Sequence, residues 1–340
     1  MEMNRIGAVT APGKVEFWQR EIAPLQPGEA LVRVKSSAIC GSDLHIFKGL
    51  HPSVKLPVTI GHEFSGVVEA LGEDCGTLRP GDRVVLEPAI PCGKCDACLH
   101  GAYNFCEKIS FSYRNGDGAM ATFVRCKASR LFLLPEEIGF DEGALIEPLA
   151  VAMHAVRKAD VKIGDSVAIL GAGAIGVFVA AICAAAGAKT VIVTDLSDAR
   201  LDKARRFGAT HTLNSARCDV VEEIVALTGG VDKAFECVGI EVTFNQGLRA
   251  LKKNGLMTAI GIFEHPKITI DASLFVSREI RLQGAQGYCW DFLLAIDIAR
   301  KLPLDEMITH RFPLEQLQQA VETAMDPAAG ALKVIVHPNE

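Results

Sequence analysis

Apolar and polar residues alternate over short stretches in the first part of the chain, as in Ala30-Leu-Val-Arg-Val-Lys35 and again over 64–70, after the Gly61-His62 turn. Turn signals such as Pro27-Gly28 and Pro80-Gly81-Asp82 separate these stretches. Period-two alternation between turn residues predicts strands, so this part reads as an irregular β core with loops. From Asp141 a helical pattern starts, with Asp141 as N-cap before the apolar positions Ala144, Leu145, Leu149 and Met153. The rhythm then changes again. Strands are predicted over 167–170, 190–194, 231–237, 256–261 and 280–283, and helices over 175–186, 198–207 and 242–251. Two more helices and a last strand over 331–337 follow Trp290.

Alternating β and α segments predict a parallel sheet with helices on both faces. A chain of 340 residues, 49% of them hydrophobic, exceeds what one core usually holds, so two domains are expected. The stretch 166–188 is uncharged and long enough to span a bilayer, but its glycines and its alternating surroundings read as a buried strand–turn–helix. Residues 1–21 lack a continuous apolar stretch, so no secretory signal is expected and the cytoplasm is the expected compartment. The net charge is only −6 and the basic residues are scattered, which argues against nucleic acid as a partner.

Chemistry enters at two motifs. Gly171-Ala-Gly173-Ala-Ile175-Gly176 fits G-x-G-x-x-G between an apolar strand and an apolar helix. Gly171 permits the tight turn, Gly173 lets a pyrophosphate approach the backbone, and Gly176 allows close helix–strand packing. Asp195 stands nineteen residues past Gly176, at the end of the next strand. Its carboxylate would accept hydrogen bonds from the adenosine ribose and repel a 2′-phosphate, which favours NAD over NADP, although Arg200 stands five positions on. The second motif is Cys92-x2-Cys95-x2-Cys98-x7-Cys106, four of the chain's eleven cysteines in one loop. That spacing can close a tetrahedral zinc site with a structural role; two disulfides or an iron–sulfur cluster are the alternative occupants.

Three separated segments carry further ligand types: Cys40-Gly-Ser42-Asp43-Leu-His45, Gly61-His62-Glu63 and Ile146-Glu147-Pro148. By chemistry alone they are only suggestive. Together with GDRV, the four-cysteine loop, DEGALIEPLAVAMHA and TDLSDAR, in one order from about Ala8 to His337, they make the chain resemble the zinc-containing medium-chain dehydrogenases. Within that family it looks most like the sorbitol (polyol) dehydrogenase branch.

The resemblance implies a GroES-like β-rich catalytic domain from 1–151 and 289–340, and a Rossmann NAD-binding domain, a doubly wound parallel sheet, from 152–288. It places the active site in the cleft between them. It implies two zinc ions: a catalytic one on Cys40, His62 and Glu63, with Glu147 as ligand or held through water, and a structural one on the four cysteines. Asp43 matches a carboxylate that orients the ligand histidine, and Ser42 and His45 match proton-relay positions. Ile175, Asp195, Arg200, Ile260-Gly261-Ile262 and Ala285-Gln286-Gly287 match positions that contact NAD. The activity implied is transfer of a hydride from a secondary alcohol of a polyol or sugar-derived substrate to NAD, in a dimer or tetramer. Two positions depart from the branch: Ile46 replaces a tyrosine, and Gly287 replaces an arginine before Tyr288-Cys289. Both family residues help hold substrate hydroxyls, so a smaller, less hydroxylated or modified sugar alcohol, or a sugar acid, is expected rather than sorbitol. An L-threonine or amino-alcohol dehydrogenase, and a non-catalytic nucleotide-binding protein, are the alternatives.

Overall fold

The computed structural model describes residues 3–51, 54–111, 118–263 and 265–340. The chain forms two compact units, Met1–Glu147 with Ala295–Glu340, and Pro148–Leu294.

The first unit is built on strand Glu29–Ala38. Strands Glu63–Leu71, Phe123–Lys127 and the C-terminal Lys333–His337 all pair with it antiparallel, within a seven-stranded sheet. A three-stranded sheet of Lys14–Glu21, Met3–Ala11 and Val58–Thr59 completes the β framework. Register decides what meets what. Ala38 lies opposite Glu63, so Cys40, two residues past the strand, comes beside His62 and Glu63 at the start of the neighbouring strand. Ile39 donates its N–H to the Val334 carbonyl at 2.9 Å, which ties the last strand to the same corner.

Helix Gly41–Phe47 is too short to stand alone. It holds because Ile46 and Phe47, 2% and 3% exposed, pack into a core with Val9, Ile60, Leu317 and Val336. Each such burial contributes roughly 1.5–3 kcal/mol. Ser42 and His45, three residues apart and therefore on one face, are half-buried.

Asp141 does not cap a helix as expected. Gly139 is the N-cap of helix Phe140–Ala144, and a second helix, Ile146–Ala159, follows after Leu145. The Asp141 carboxylate instead accepts from Ser36 Oγ at 2.5 Å, Arg311 Nε at 2.6 Å and His337 Nε2 at 2.8 Å. This joins the central strand to both C-terminal strands. Burial by itself would raise the Asp141 pKa, but His337, Ser36 and Arg311 outweigh it and hold the carboxyl well below its usual range. The bond to Asp141, with Glu340 nearby, raises His337 above its ordinary value. The Asp141 contribution to stability is therefore present above pH ~4 and lost as pH falls through its lowered folded value. The His337 contribution is complete below pH ~6.5 and lost as pH rises through its raised folded value. Thermal unfolding of His337→Gln should fall furthest below wild type between pH ~4 and ~6.5 and approach it by pH ~9. An equal gap at pH ~5 and ~9 would contradict the linkage.

The second unit is a six-stranded, all-parallel sheet. Its order is His211–Asn214, Thr190–Asp195, Ser166–Leu170, Val231–Glu236, Leu251–Ala259, Arg281–Gly284. The order reverses between Ser166–Leu170 and Val231–Glu236, and ligands of doubly wound sheets bind at such a switch point, beyond the carboxyl ends of the strands. The stretch read as strand–turn–helix is strand Ser166–Leu170 and helix Ala174–Ala185. No helix among the described residues is long and apolar enough to cross a membrane. Sequence periodicity missed strand His211–Asn214 and helix Val220–Thr228, which Asp219 caps by accepting from the N–H groups of Val221 and Glu222. It also missed strand Ile308–Pro313 in the first unit.

Candidate metal centre and nucleotide site

The ligand atoms of Cys40, His62 and Glu63 lie within 4.8 Å of one another. Two local devices hold this arrangement. Asp43, fully buried, accepts the Cys40 N–H on Oδ2 at 3.0 Å and the Gly61 N–H on Oδ1 at 3.2 Å, so one carboxylate clips both ligand-bearing segments together. Gly61 has φ +95°, and a Cβ there would lie 3.0 Å from Met120 N and Ser37 Oγ, so the turn that presents His62 requires glycine. Asp43 Oδ1 stands 3.8 Å from His62 Nδ1, closer to an electrostatic neighbour than to a hydrogen-bond partner. Burial pushes Asp43 up. Burial opposes a charged His62, yet the Cys40 sulfur and the Asp43 and Glu147 carboxylates outweigh it and raise the imidazole well above its ordinary value. A divalent cation at this point would meet that concentration of negative charge directly.

Glu147 is buried, at 8% exposure, and its charge bears on both His62 and Lys333, but it stands outside the set of three mutually close ligand atoms. Ser42 and His45 lie on the helix that follows Cys40. Lys333 was not singled out from the sequence. It is 5% exposed, and its ammonium donates to Glu63 Oε2. The only signal was a lone lysine in an apolar strand, Lys333–His337.

Cys92, Cys95, Cys98 and Cys106 form a second cluster, their sulfurs also within 4.8 Å of one another. The backbone N–H groups of Lys94 and Cys95 pull the Cys92 thiol down to about 6, and those of Cys98 and Glu107 lower Cys95. Desolvation and the other sulfurs push Cys98 up to about 12, as expected where four thiols compete to ionise without a cation. Four thiolates leave no open position, which is the pattern of a structural zinc. The lobe is anchored by Tyr103, whose hydroxyl donates to buried Glu87 at 2.6 Å, while Arg130 pairs with the same carboxylate. Glu87 stands five residues before Cys92, but Arg130 lies well past Cys106 and no motif links the three residues, so the anchor was not legible in the sequence. None of the eleven cysteines is paired in a disulfide.

In the second unit, Gly171 has φ +103°, and a Cβ on Gly176 would lie 1.9 Å from the Gly171 carbonyl oxygen. Around Gly173 a Cβ would meet nothing within 4 Å, which leaves open space where the backbone can approach a pyrophosphate. Ile175 lies in the first turn of helix Ala174–Ala185, whose N-terminus has no side-chain cap. Asp195 accepts the Ala172 N–H on Oδ2 at 2.8 Å and the Ser197 N–H on Oδ1 at 2.9 Å. It thus fastens the glycine-rich turn, and its remaining lone pairs stay available to ribose hydroxyls. Arg200 contributes its backbone N–H to the Ser197 cap. Ile260, Gly261 and Ile262 follow strand Leu251–Ala259, and Ala285, Gln286 and Gly287 follow strand Arg281–Gly284. All these positions therefore lie at or beyond the carboxyl ends of parallel strands.

Residues 26–136 match the family model "Alcohol dehydrogenase GroES-like domain", and residues 174–300 match "Zinc-binding dehydrogenase". The chain is 34% identical to the sorbitol dehydrogenase of Bacillus subtilis (strain 168), over 92% of this chain and 90% of that protein. Among solved structures, it resembles 2R,3R-butanediol dehydrogenase from Bacillus subtilis with a TM-score of 0.90 and 32% identity, covering 99% of this chain and 100% of that one. It also resembles a structure from Sinorhizobium meliloti 1021, described as a zinc-binding dehydrogenase bound to NADP, with a TM-score of 0.94 and 32% identity over 99% of this chain and 100% of that one.

Proposed function

Because the chain belongs to the zinc-binding alcohol dehydrogenases, we propose that it oxidises a secondary alcohol of a small polyol or sugar-derived substrate to the ketone, with NAD as oxidant. The observation that carries this is the set of three, rather than four, converging ligands on Cys40, His62 and Glu63. One thiolate, one imidazole and one carboxylate, the last two buried and the first half-buried, suit a zinc ion that keeps a position for substrate. When bound, zinc supplies Lewis acidity toward an alcohol oxygen, and NAD supplies the hydride acceptor.

The chain's own residues do the rest. Asp43 keeps the two ligand segments in register. Ser42 and His45, on one face of their helix, form the path by which the alcohol proton reaches solvent. A His45→Gln variant with undiminished kcat at pH 7 would remove His45 from that path. Glu147 adds negative charge beside the metal position. Asp195 selects NAD, since a 2′-phosphate would meet its carboxylate; the Sinorhizobium meliloti 1021 relative is bound to NADP, so the ratio of rates with the two cofactors tests this role directly. Ile46 is spent on the core and Gly287 has no side chain, so neither offers a polar group to a polyol chain. This favours a smaller or less hydroxylated substrate than sorbitol, and butanediol, the substrate named for one structural relative, is of that size.

Eleven cysteines with none in a disulfide fit a reducing, cytoplasmic compartment. A homo-oligomer, dimer or tetramer, fits a sheet that ends on strand Arg281–Gly284 with Leu282 exposed, and light scattering would measure it.

The test is initial-rate reduction of NAD and of NADP against a panel of sugar alcohols, sugar acids, small diols and threonine, with and without chelator. Chelator-sensitive reduction of NAD by a diol or short polyol is expected. Turnover with NADP alone would overturn the role given to Asp195, and threonine as the best substrate would overturn the polyol reading.

A further inference from the structure

Lys333 lies at the Cys40–His62–Glu63 centre, where a buried cation is not an obvious ingredient. It is 5% exposed and Glu63 is 1% exposed, so neither charge of the pair is solvated. The ammonium donates to Glu63 Oε2 and reaches the Ile39 carbonyl at 3.5 Å, one residue before Cys40. The strand that carries it is fixed by the Ile39-to-Val334 backbone bond, so its approach to Glu63 is set by the sheet rather than by a mobile tail. Cys40 and Glu147 also act on it electrostatically.

Charge bookkeeping makes this placement informative. The centre buries the carboxylates of Asp43, Glu63 and Glu147 beside a cysteine sulfur. Negative charge concentrated out of water is costly unless cations stand beside it; Asp43 is met by two backbone N–H groups and by His62, while Glu63 is met by Lys333. Lys333 acts through one oxygen of a proposed metal ligand. Two consequences oppose each other. The lysine supports the site before metal enters. Once metal is present, it repels the incoming charge and holds one of the two Glu63 oxygens.

We propose that Lys333 is a resident counter-cation, a positioning residue that compensates Glu63 in the metal-free protein and competes with the catalytic zinc for the same carboxylate, so setting how firmly that zinc is held. The proposal rests on the reading of Cys40, His62 and Glu63 as a zinc site.

The experiment uses the full-length, zinc-loaded protein as wild type, Lys333→Met, Lys333→Arg and the double variant Glu63→Gln/Lys333→Met. Zinc release to a chromogenic chelator is followed over time, with the four-cysteine site as internal reference, and thermal unfolding is recorded with and without zinc. In Lys333→Met the catalytic zinc should leave at least about tenfold more slowly, because a nearby positive charge is gone. Its metal-free form should unfold at a lower temperature than metal-free wild type, while the zinc-loaded forms differ little. Lys333→Arg, which keeps the charge, should release zinc within about threefold of wild type. The double variant, with neither charge, should recover metal-free stability.

Release from Lys333→Met as fast as wild type would overturn the proposal. So would an equal loss of stability with and without zinc, or a shift beyond tenfold in Lys333→Arg, each of which would leave Lys333 a packing residue. Failure of the zinc reading has a different signature: wild type would then bind one zinc per chain, and Cys40→Ala would leave that number unchanged.

Discussion

Cys40→Ala should abolish turnover while leaving a folded protein that retains one zinc ion per chain. Removing the thiolate leaves only His62 and Glu63 of the three converging ligands, too few to hold zinc against water and chelator. The Lewis acidity so lost is worth several kcal/mol of transition-state stabilisation, and each 1.4 kcal/mol is a factor of ten. A fall in kcat/KM of about 10³-fold or more is therefore expected. The fold should survive because the local structure depends on backbone rather than on the thiol: the Cys40 N–H bonds to Asp43, and Ile46 and Phe47 anchor the helix that follows. The four-cysteine cluster is untouched, so metal analysis should read one zinc instead of two. NADH binding, followed by its fluorescence, should be unchanged because no residue of the glycine-rich loop is altered. Retention of two zinc ions together with activity would remove Cys40 from the metal site.

What the sequence disclosed and withheld follows from the range of the interactions involved. The central strands and helices of the parallel sheet were legible because they are continuous apolar runs, buried throughout in Ser166–Leu170 and over 176–183 in helix Ala174–Ala185. Strand His211–Asn214 was not, because it is an edge strand with polar, incompletely buried residues and therefore no apolar run. Asp141 shows the same limit at one residue. Its type and its place before an apolar helix suit an N-cap, but partners from residues 36, 311 and 337 claim its carboxylate instead. At the metal centre, the ligand types were visible in short motifs, while their convergence depended on the register of Ala38 against Glu63. Lys333 enters the same corner only because the last strand pairs with Glu29–Ala38, a contact about three hundred residues apart that no local pattern encodes.

Cys98→Ser should lower stability far more than the exposure of this residue suggests. From Pro91 to Ser110 only Tyr103 and Cys106 are buried, so the lobe has almost no apolar core with which to hold its shape. Its regular structure is one turn of helix, Asp96–Leu99, and a short 3-10 turn, Tyr103–Phe105. What remains is the four-sulfur cluster and the anchor from Tyr103 to Glu87 and Arg130. A metal bound only by the folded lobe adds its binding free energy to folding, so removing one of four ligands withdraws most of that support. The thermal transition should fall by on the order of 10 °C. Hydrogen exchange should locate the loss, with amides of 92–106 exchanging much faster while the strand Glu29–Ala38 and the parallel sheet keep their protection. Activity at low temperature should persist, because Cys40, His62 and Glu63 form a separate centre. A variant with unchanged exchange over 92–106 and a full complement of zinc would show that the cysteines serve the lobe in some way other than as a metal clamp.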